Sequence, residues 1–96
     1  MININPREVA ADALNDIREN SAYNNMTLRR YLRQNGAMPR VDKAFVTECV
    51  NGTLRNMIFI DYVINIFSKT KTNKLKPFIL SVMQISVYQM FFMDRV

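Results

Sequence analysis

The stretch from Asp42 to Asp61 constrains the fold more than any other part of the chain. Its apolar residues follow one another at intervals of three or one, which keeps one side of an α-helix apolar for about three and a half turns. They are Phe45, Val46, Cys49, Val50, Thr53, Leu54 and Met57. Gly52 lies within this pattern, where glycine costs about 1 kcal/mol relative to alanine, so we expect another backbone to pass too close for a Cβ there. The stretch therefore predicts a core helix with a tight crossing.

The composition favours a single small helical domain. Ninety-six residues, 49% of them hydrophobic, suffice for one domain with a marginal core and leave no room for a second. Two glycines and three prolines provide few turns for a sheet, and long periodic segments alternate with short polar ones. We therefore predict one all-α domain over residues 1–96.

Capping residues and the apolar period divide the chain into five helices. Asn5 before Pro6 is a typical helix start. Pro39 prevents the residue before it from being helical, and Pro77 suits the first turn of another helix. The predicted helices cover residues 6 to 19 or 20, 25 to 35, 42 to 56, 60 to 67 and 77 onward, with a bend at 56–59 and a basic loop at 70–76.

The fifth predicted helix is apolar on nearly all sides from Phe78 to Phe92. A membrane span needs about 20 apolar residues, whereas this run is shorter and is interrupted by Ser81, Gln84, Ser86 and Gln89. A central helix packed on several sides is therefore favoured over a transmembrane helix. Because five helices hardly cover such a surface, we expect a C-terminally truncated domain whose exposed strip on this helix associates with a second copy.

Basic residues are concentrated in two blocks, and the net charge of the chain is +5. Residues 24–43 contain four Arg and one Lys against Asp42, and residues 69–76 contain four Lys and no acid. Such blocks commonly bind polyanions, because each neutralised phosphate releases a counterion. A solvated surface is the alternative for both blocks, and it is favoured for the Lys block. Arg29, Arg30 and Arg33 have no carboxylate at helical spacing, so their mutual repulsion hints at a bound anion.

The sequence contains no grouping of residues typical of an active site, a metal site or a secretory signal. Cys49 is the single cysteine and lies on the apolar face, which excludes an intrachain disulfide and a metal-binding cysteine pair. The chain has no histidine, so Glu48 is interpreted as a structural carboxylate paired with an arginine rather than as a catalytic acid. The N-terminus has no secretory signal, and a reducing cytoplasm is the predicted location. No catalytic residue, metal or cofactor is predicted for this chain.

Four segments, in this order along the chain, carry a family resemblance. They are Asn5-Pro6-Arg7-Glu8-Val9-Ala10 with Ala13-Leu14; Asp42-Lys43-Ala44-Phe45 with Glu48, Asn51-Gly52-Thr53-Leu54 and Ile60-Asp61; Phe67-Ser68-Lys69 to Lys76-Pro77; and Val87-Tyr88-Gln89 with Met93-Asp94-Arg95-Val96. The second resembles the central helix of the NusB-type RNA-binding domain. Together the four resemble this domain as it occurs at the N-terminus of the Sun/RsmB family, which are ribosomal RNA cytosine-C5 methyltransferases.

The resemblance implies a NusB-like helical bundle that helps to place small-subunit ribosomal RNA. Catalysis would then belong to a downstream domain that uses S-adenosylmethionine, and this chain would not be an enzyme by itself. The expected RNA contacts are Arg7, Arg29, Arg30, Arg33, Arg40, Lys43 and Arg55, on phosphates and exposed bases. Tyr23 and Tyr31 are candidates for base stacking, although a core position for Tyr31 is favoured. For Arg7 alone, a merely exposed arginine is the alternative.

Two other functions stay open at this point. The first is a free-standing transcription antitermination factor of the NusB type, which binds RNA together with a ribosomal protein. The second is a helical protein-interaction module without an RNA role, which would use the Met-rich end of the fifth helix. The dependence of binding on salt separates this second function from RNA binding.

Overall fold

Five α-helices make up the described part of the chain. The computed structural model describes residues 4–20 and 24–93, and no strand occurs within these ranges. The helices are α1 (Pro6–Asn20), α2 (Asn24–Gln34), α3 (Arg40–Arg55), α4 (Met57–Phe67) and α5 (Pro77–Tyr88). A 3₁₀ turn (Thr72–Lys74) precedes α5, and a π-helical turn (Gln89–Met93) follows it. The predicted all-α class and the five helices are confirmed.

Helix α1 lies at the centre of the bundle, where it packs against α2, α3 and α5. The side-chain oxygen of Asn5 caps this helix by accepting a hydrogen bond from the backbone N–H of Arg7 at 2.9 Å, as the Asn-Pro start predicts. At the other end, the Arg18 guanidinium donates to the Pro77 carbonyl oxygen and to Ser81 Oγ, both at 2.7 Å. The core side of α1 consists of Val9, Ala10, Ala11, Ala13, Leu14 and Ile17. Three alanines on this side let the neighbouring helices approach closely.

Helices α3 and α4 are separate, and the break between them lies at Asn56, within the predicted bend at 56–59. The backbone N–H of Asn56 donates to the carbonyl oxygen of Gly52 at 3.1 Å, and the Asn56 side-chain amide donates to the same oxygen at 2.8 Å. These bonds close α3, and α4 begins at the next residue. Helix α3 begins at Arg40 with Pro39 before it, so Asp42 lies in the first turn. The residues of α3 that are fully buried are Val46, Cys49, Val50, Gly52 and Thr53.

Gly52 packs tightly against α5, but its neighbour is a side chain rather than the expected backbone. A Cβ at this position would lie under 3.0 Å from the ring of Tyr88. Tyr88 is 3% exposed, and its hydroxyl donates a hydrogen bond to the Glu48 carboxylate. The tight crossing is therefore present, whereas the predicted backbone contact is wrong because a phenol ring occupies that space.

The segment between α4 and α5 is tied to α4. The backbone N–H of Thr72 donates to Asn65 Oδ1 and the Lys71 ammonium donates to the Asn65 carbonyl oxygen, both at 2.9 Å. The predicted basic loop therefore contains an ordered 3₁₀ turn. Phe67 continues the apolar spacing of Ile60, Val63 and Ile64, but it is 80% exposed at the last residue of α4. Within the described ranges, no helix combines the length and the hydropathy that crossing a membrane requires.

Candidate nucleic-acid interface

The outer side of α2 carries three arginines, and the structure separates one of them from the other two. The Arg30 guanidinium forms an ion pair with Asp16 of α1, and it lies 5.3 Å from the ring centre of Tyr31. Arg29 and Arg33 are exposed, and no carboxylate in residues 4–20 and 24–93 forms an ion pair with either. These two arginines are therefore the α2 cations most available to a polyanion.

Asp16 is the acidic partner that the sequence pattern did not reveal. Its carboxylate accepts hydrogen bonds from the Asn20 side chain, from Arg30 and from the Tyr31 hydroxyl. The hydrogen bond from Asn20, followed by that from Tyr31 and the charge of Arg30, lowers the pKa of Asp16 from its ordinary value. Tyr31 is half-buried and packs against the core, so the favoured core position for Tyr31 is confirmed. Tyr23 lies outside the described residues.

A short turn joins the basic end of α2 to the basic start of α3. The backbone N–H of Met38 donates to the Asn35 carbonyl oxygen at 3.0 Å, and the Met38 side chain is buried. Arg33 lies in the last turn of α2 and Arg40 is the first residue of α3, so the two flank the same anchored turn. Arg40 is exposed and Lys43 is half-buried.

Arg7 lies in the first turn of α1 beside a groove between the starts of α1 and α3. Its Nε donates to the side-chain oxygen of Gln89 at 3.0 Å. The groove has a volume of about 390 Å³ and is lined by Asn5, Pro6, Arg7, Val41, Asp42 and Phe45. Arg40 and Lys43 immediately flank Val41 and Asp42, two of the three lining residues of α3, so cations adjoin this groove along the chain.

Arg55 is placed apart from the other basic candidates. It is the last residue of α3, and at 1.5 Å per residue it lies about 22 Å along the helix from Arg40. Its surroundings are apolar and exposed, since it lines a groove together with Leu54, Asn56, Met57, Ile58, Phe59 and Tyr62. The seven predicted contacts therefore do not form one continuous patch: six lie on α1, α2 and the start of α3, and Arg55 lies at the far end of α3.

Glu48 and Cys49 belong to the helix packing. Glu48 accepts a hydrogen bond from Tyr88, so its partner is a tyrosine and the expected arginine is wrong; Glu48 is also exposed apart from this contact. Cys49 is buried, and desolvation with the adjacent Glu48 charge raises the pKa of its thiol to about 12, which keeps it protonated. In the part of the chain that the structure describes, no three acidic, histidine or cysteine side chains are grouped as metal ligands would be.

Gln89 is the site residue that the sequence reasoning missed. In the sequence, Gln89 is a polar interruption of an apolar helix. In the structure, its side chain accepts a hydrogen bond from Arg7, which lies 82 residues earlier in the chain. One available signal is its place in the Val87-Tyr88-Gln89 segment, which carries part of the family resemblance. A polar residue in an otherwise apolar helix commonly has a specific hydrogen-bond partner.

Comparison with known proteins gives a consistent family assignment. The model of the NusB family matches residues 4–96. A protein of Bacillus subtilis described as a probable ribosomal RNA small subunit methyltransferase B is 32% identical over 90 residues, which cover 94% of this chain and 20% of the relative. A Synechocystis protein of the same description is 28% identical over 93 residues, covering 97% of this chain and 21% of the relative. No solved structure matches the chain.

The chain thus spans about a fifth of the length of these curated relatives, and it corresponds to their NusB-like part rather than to their catalytic part. The helical architecture and the four resembling segments agree with the family match, which extends over nearly all the residues. The two relatives above are described as probable ribosomal RNA small subunit methyltransferases, and this chain belongs to the NusB family.

Proposed function

We propose that this chain is an RNA-binding module that helps to position small-subunit ribosomal RNA for a catalytic domain elsewhere in the same protein. The observation that carries the proposal is the pair of exposed arginines, Arg29 and Arg33, on the outer side of α2 in a NusB-family domain. Like-charged neighbours four apart on a helix repel each other unless an anion lies between them. A phosphate of RNA is such an anion.

The proposed contacts are expected to contribute unequally to RNA binding because their surroundings differ. Arg7, Arg29, Arg33, Arg40 and Lys43 form the main binding surface. Arg30 contributes less, since Asp16 already neutralises part of its charge. Arg55 is reached only by an RNA that extends along α3. Phosphate contacts of this kind supply affinity and orientation, whereas sequence is read through unpaired bases.

The chemistry of methylation is assigned to the part of the protein that this chain does not include. Relatives described as ribosomal RNA methyltransferases are about five times as long as the region they share with this chain. S-adenosylmethionine is the methyl donor expected for the whole enzyme, with transfer to C5 of a cytosine. Because these relatives cover nearly the whole chain, they favour the methyltransferase over the free-standing antitermination factor. Ribosomal RNA as the substrate implies a cytoplasmic location for the protein.

The homodimer predicted from the apolar fifth helix stays a separate prediction. Its structural basis is the exposure of large apolar side chains on α5, namely Phe78, Ile79 and Val82, and neither the family match nor the relatives support it. Sedimentation equilibrium at increasing protein concentration measures it directly: a constant monomer mass contradicts self-association.

The salt dependence of RNA binding tests the proposed function. Filter binding of a small-subunit ribosomal RNA fragment should weaken steeply with salt, because about 0.7 counterions are released for each phosphate contact to a single strand. The Arg29→Ala/Arg33→Ala variant should reduce the slope of log K against log salt by about 1.4.

A matched control removes two exposed cations from the other basic block. Lys69→Ala/Lys74→Ala changes the net charge equally, and both lysines are exposed between α4 and α5. We expect a much smaller change in slope. Equal changes for the two double variants would argue against RNA binding through α2 in particular. Binding that does not depend on salt would argue for a protein-interaction module.

A further inference from the structure

We infer that Gln89 is a positioning residue for Arg7, and that the two residues together with the neighbouring groove form a subsite for one nucleotide of single-stranded RNA. This inference rests on the proposed function. It adds the geometry of one subsite and specifies that the bound nucleotide is unpaired. Arg7 supplies the phosphate contact, Gln89 fixes its orientation, and the groove between α1 and α3 receives the base.

The hydrogen bond from Arg7 to Gln89 leaves the outer part of the guanidinium available. An arginine side chain has five N–H donors, and the bond at 3.0 Å uses the one on Nε. The four donors on the two terminal nitrogens can then engage a phosphate through two parallel hydrogen bonds. No carboxylate of the described residues forms an ion pair with Arg7. The positive charge of Arg7 is therefore available to a ligand.

Gln89 is held on both sides by buried contacts. The preceding residue, Tyr88, is 3% exposed and is fixed against Gly52 and Glu48. Gln89 begins the π-helical turn (Gln89–Met93), and at the end of this turn Met93 Sδ lies 3.9 Å from the Cys49 thiol. Short π-helical turns occur frequently at functional sites. Here the turn presents the Gln89 amide to α1 from an anchored backbone, so the orientation of Arg7 is set before any ligand binds.

The groove beside Arg7 suits a base better than a second phosphate. Its walls include Pro6, Phe45 and Val41, and Val41 is 73% exposed, which leaves an apolar surface for the face of a base. Asp42 also lines the groove, and its carboxylate can accept hydrogen bonds from base N–H groups or from a ribose 2′-hydroxyl. A base can enter such a groove only when it is unpaired. The flanking cations, Arg40 and Lys43, match the negative charge of the adjoining backbone.

Replacing Gln89 tests the positioning role. The probe is a fluorescein-labelled pool of short single-stranded RNAs, with binding followed by anisotropy as salt is varied. Gln89→Leu should weaken binding roughly 2- to 10-fold. Without Gln89 the Arg7 side chain is free to rotate before binding, and it must lose that freedom when RNA binds. The salt slope should stay unchanged, since no charge is removed. Arg7→Ala should lower the slope by about 0.7, and in that background Gln89→Leu should have no further effect.

Two further variants keep the test independent of folding. Gln89→Met retains the length of the side chain without an acceptor and should behave like Gln89→Leu. Gln89→Glu retains an acceptor but adds a negative charge beside Arg7, so it should lower both the affinity and the salt slope. The thermal midpoints of these variants should equal that of the original chain. An effect of Gln89→Leu that persists in the Arg7→Ala background reports altered folding and would overturn the inference.

The groove is tested by comparing single-stranded RNA with a duplex that contains the same strand. Val41→Ser should weaken binding of the single strand and leave duplex binding unchanged. The matched control is Ile66→Ser, which removes an exposed apolar residue of α4 and should affect neither ligand. Equal losses for strand and duplex, or no loss with Gln89→Leu, would overturn the inference. If Arg29→Ala/Arg33→Ala still lowers the slope in that case, the proposed function stands; if the original chain binds no RNA, both fail.

Discussion

At the scale of single residues, the basic candidates were identifiable from the sequence but their partners were not. The rule for neighbours on a helix considers residues three and four apart, and by that rule Arg30 has no carboxylate. Asp16, the residue that pairs with it, lies on another helix 14 positions earlier. Likewise, the hydrogen bond between Arg7 and Gln89 joins opposite ends of the chain. Contacts of this kind depend on how helices pack, which the local pattern does not contain.

The hydrogen bond from Asn20 to Asp16, together with the contacts from Tyr31 and Arg30, predicts a specific dependence of stability on pH. The folded-state pKa of Asp16 lies below its ordinary value of 3.8, so the ionised carboxylate stabilises the fold above that pH. This contribution is lost as the pH falls through the folded-state pKa. Asp16→Asn should therefore lower the free energy of unfolding by up to about 1 kcal/mol at pH 7, and the difference should shrink as the pH falls below 3.8, as measured by urea unfolding.

Asp12 provides a control of opposite sign on the same helix. Burial, with the nearby charge of Glu8, raises the pKa of Asp12, so its ionised form opposes folding at neutral pH. Asp12→Asn should leave the stability at pH 7 unchanged or slightly higher. If both asparagine variants lose the same stability at pH 7, the pairing of Asp16 does not account for its effect.

At the scale of elements, the ends of the helices were more predictable than their neighbours. Asn5 with Pro6, Pro39 and Pro77 act through local backbone geometry, and the predicted starts of α1, α3 and α5 lie within two residues of the observed ones. The faces of helices depend on what lies opposite. Phe67 continues the apolar pattern of α4 but is 80% exposed, because it lies at the edge of an open groove between α4 and the end of α5.

The crossing of α3 and α5 at Gly52 predicts a cost for adding a single methyl group. Gly52→Ala should destabilise the domain by about 1–3 kcal/mol, although alanine favours helix by about 1 kcal/mol, because the Tyr88 ring fills the space of the Cβ. Thermal and urea unfolding measure the change. In the Tyr88→Leu background the cost of Gly52→Ala should fall, since the end of the ring is absent.

Gly36 serves as the matched control for Gly52. A Cβ at Gly36 would meet only the carbonyl oxygen of Arg33, at 3.4 Å. Gly36→Ala should therefore change the stability by less than about 0.5 kcal/mol, as for other surface substitutions. Similar costs at the two glycines, or a Gly52→Ala cost that does not respond to Tyr88→Leu, would contradict the proposed crossing.

At the scale of the whole molecule, the all-α fold follows from the periodicity and the few glycines, and the family match confirms it. The arrangement of the candidate site could be predicted only in part. The charge blocks correctly indicated basic surfaces on α2 and at the start of α3. They did not indicate that Arg30 is paired with Asp16, or that α1 contacts both basic elements. These features result from the tertiary packing of distant segments.

We propose that RNA binds the side of the domain formed by α2 and the starts of α1 and α3. Titration of the isotope-labelled chain with a single-stranded ribosomal RNA fragment, followed by amide chemical shifts in NMR, tests it most directly. We expect the shifts to concentrate at Arg7, Arg29, Arg33 and Arg40 and to leave α4 and residues 69–76 unchanged. Shifts concentrated on the exposed apolar residues of α4 and α5, or the absence of any shift, would contradict it.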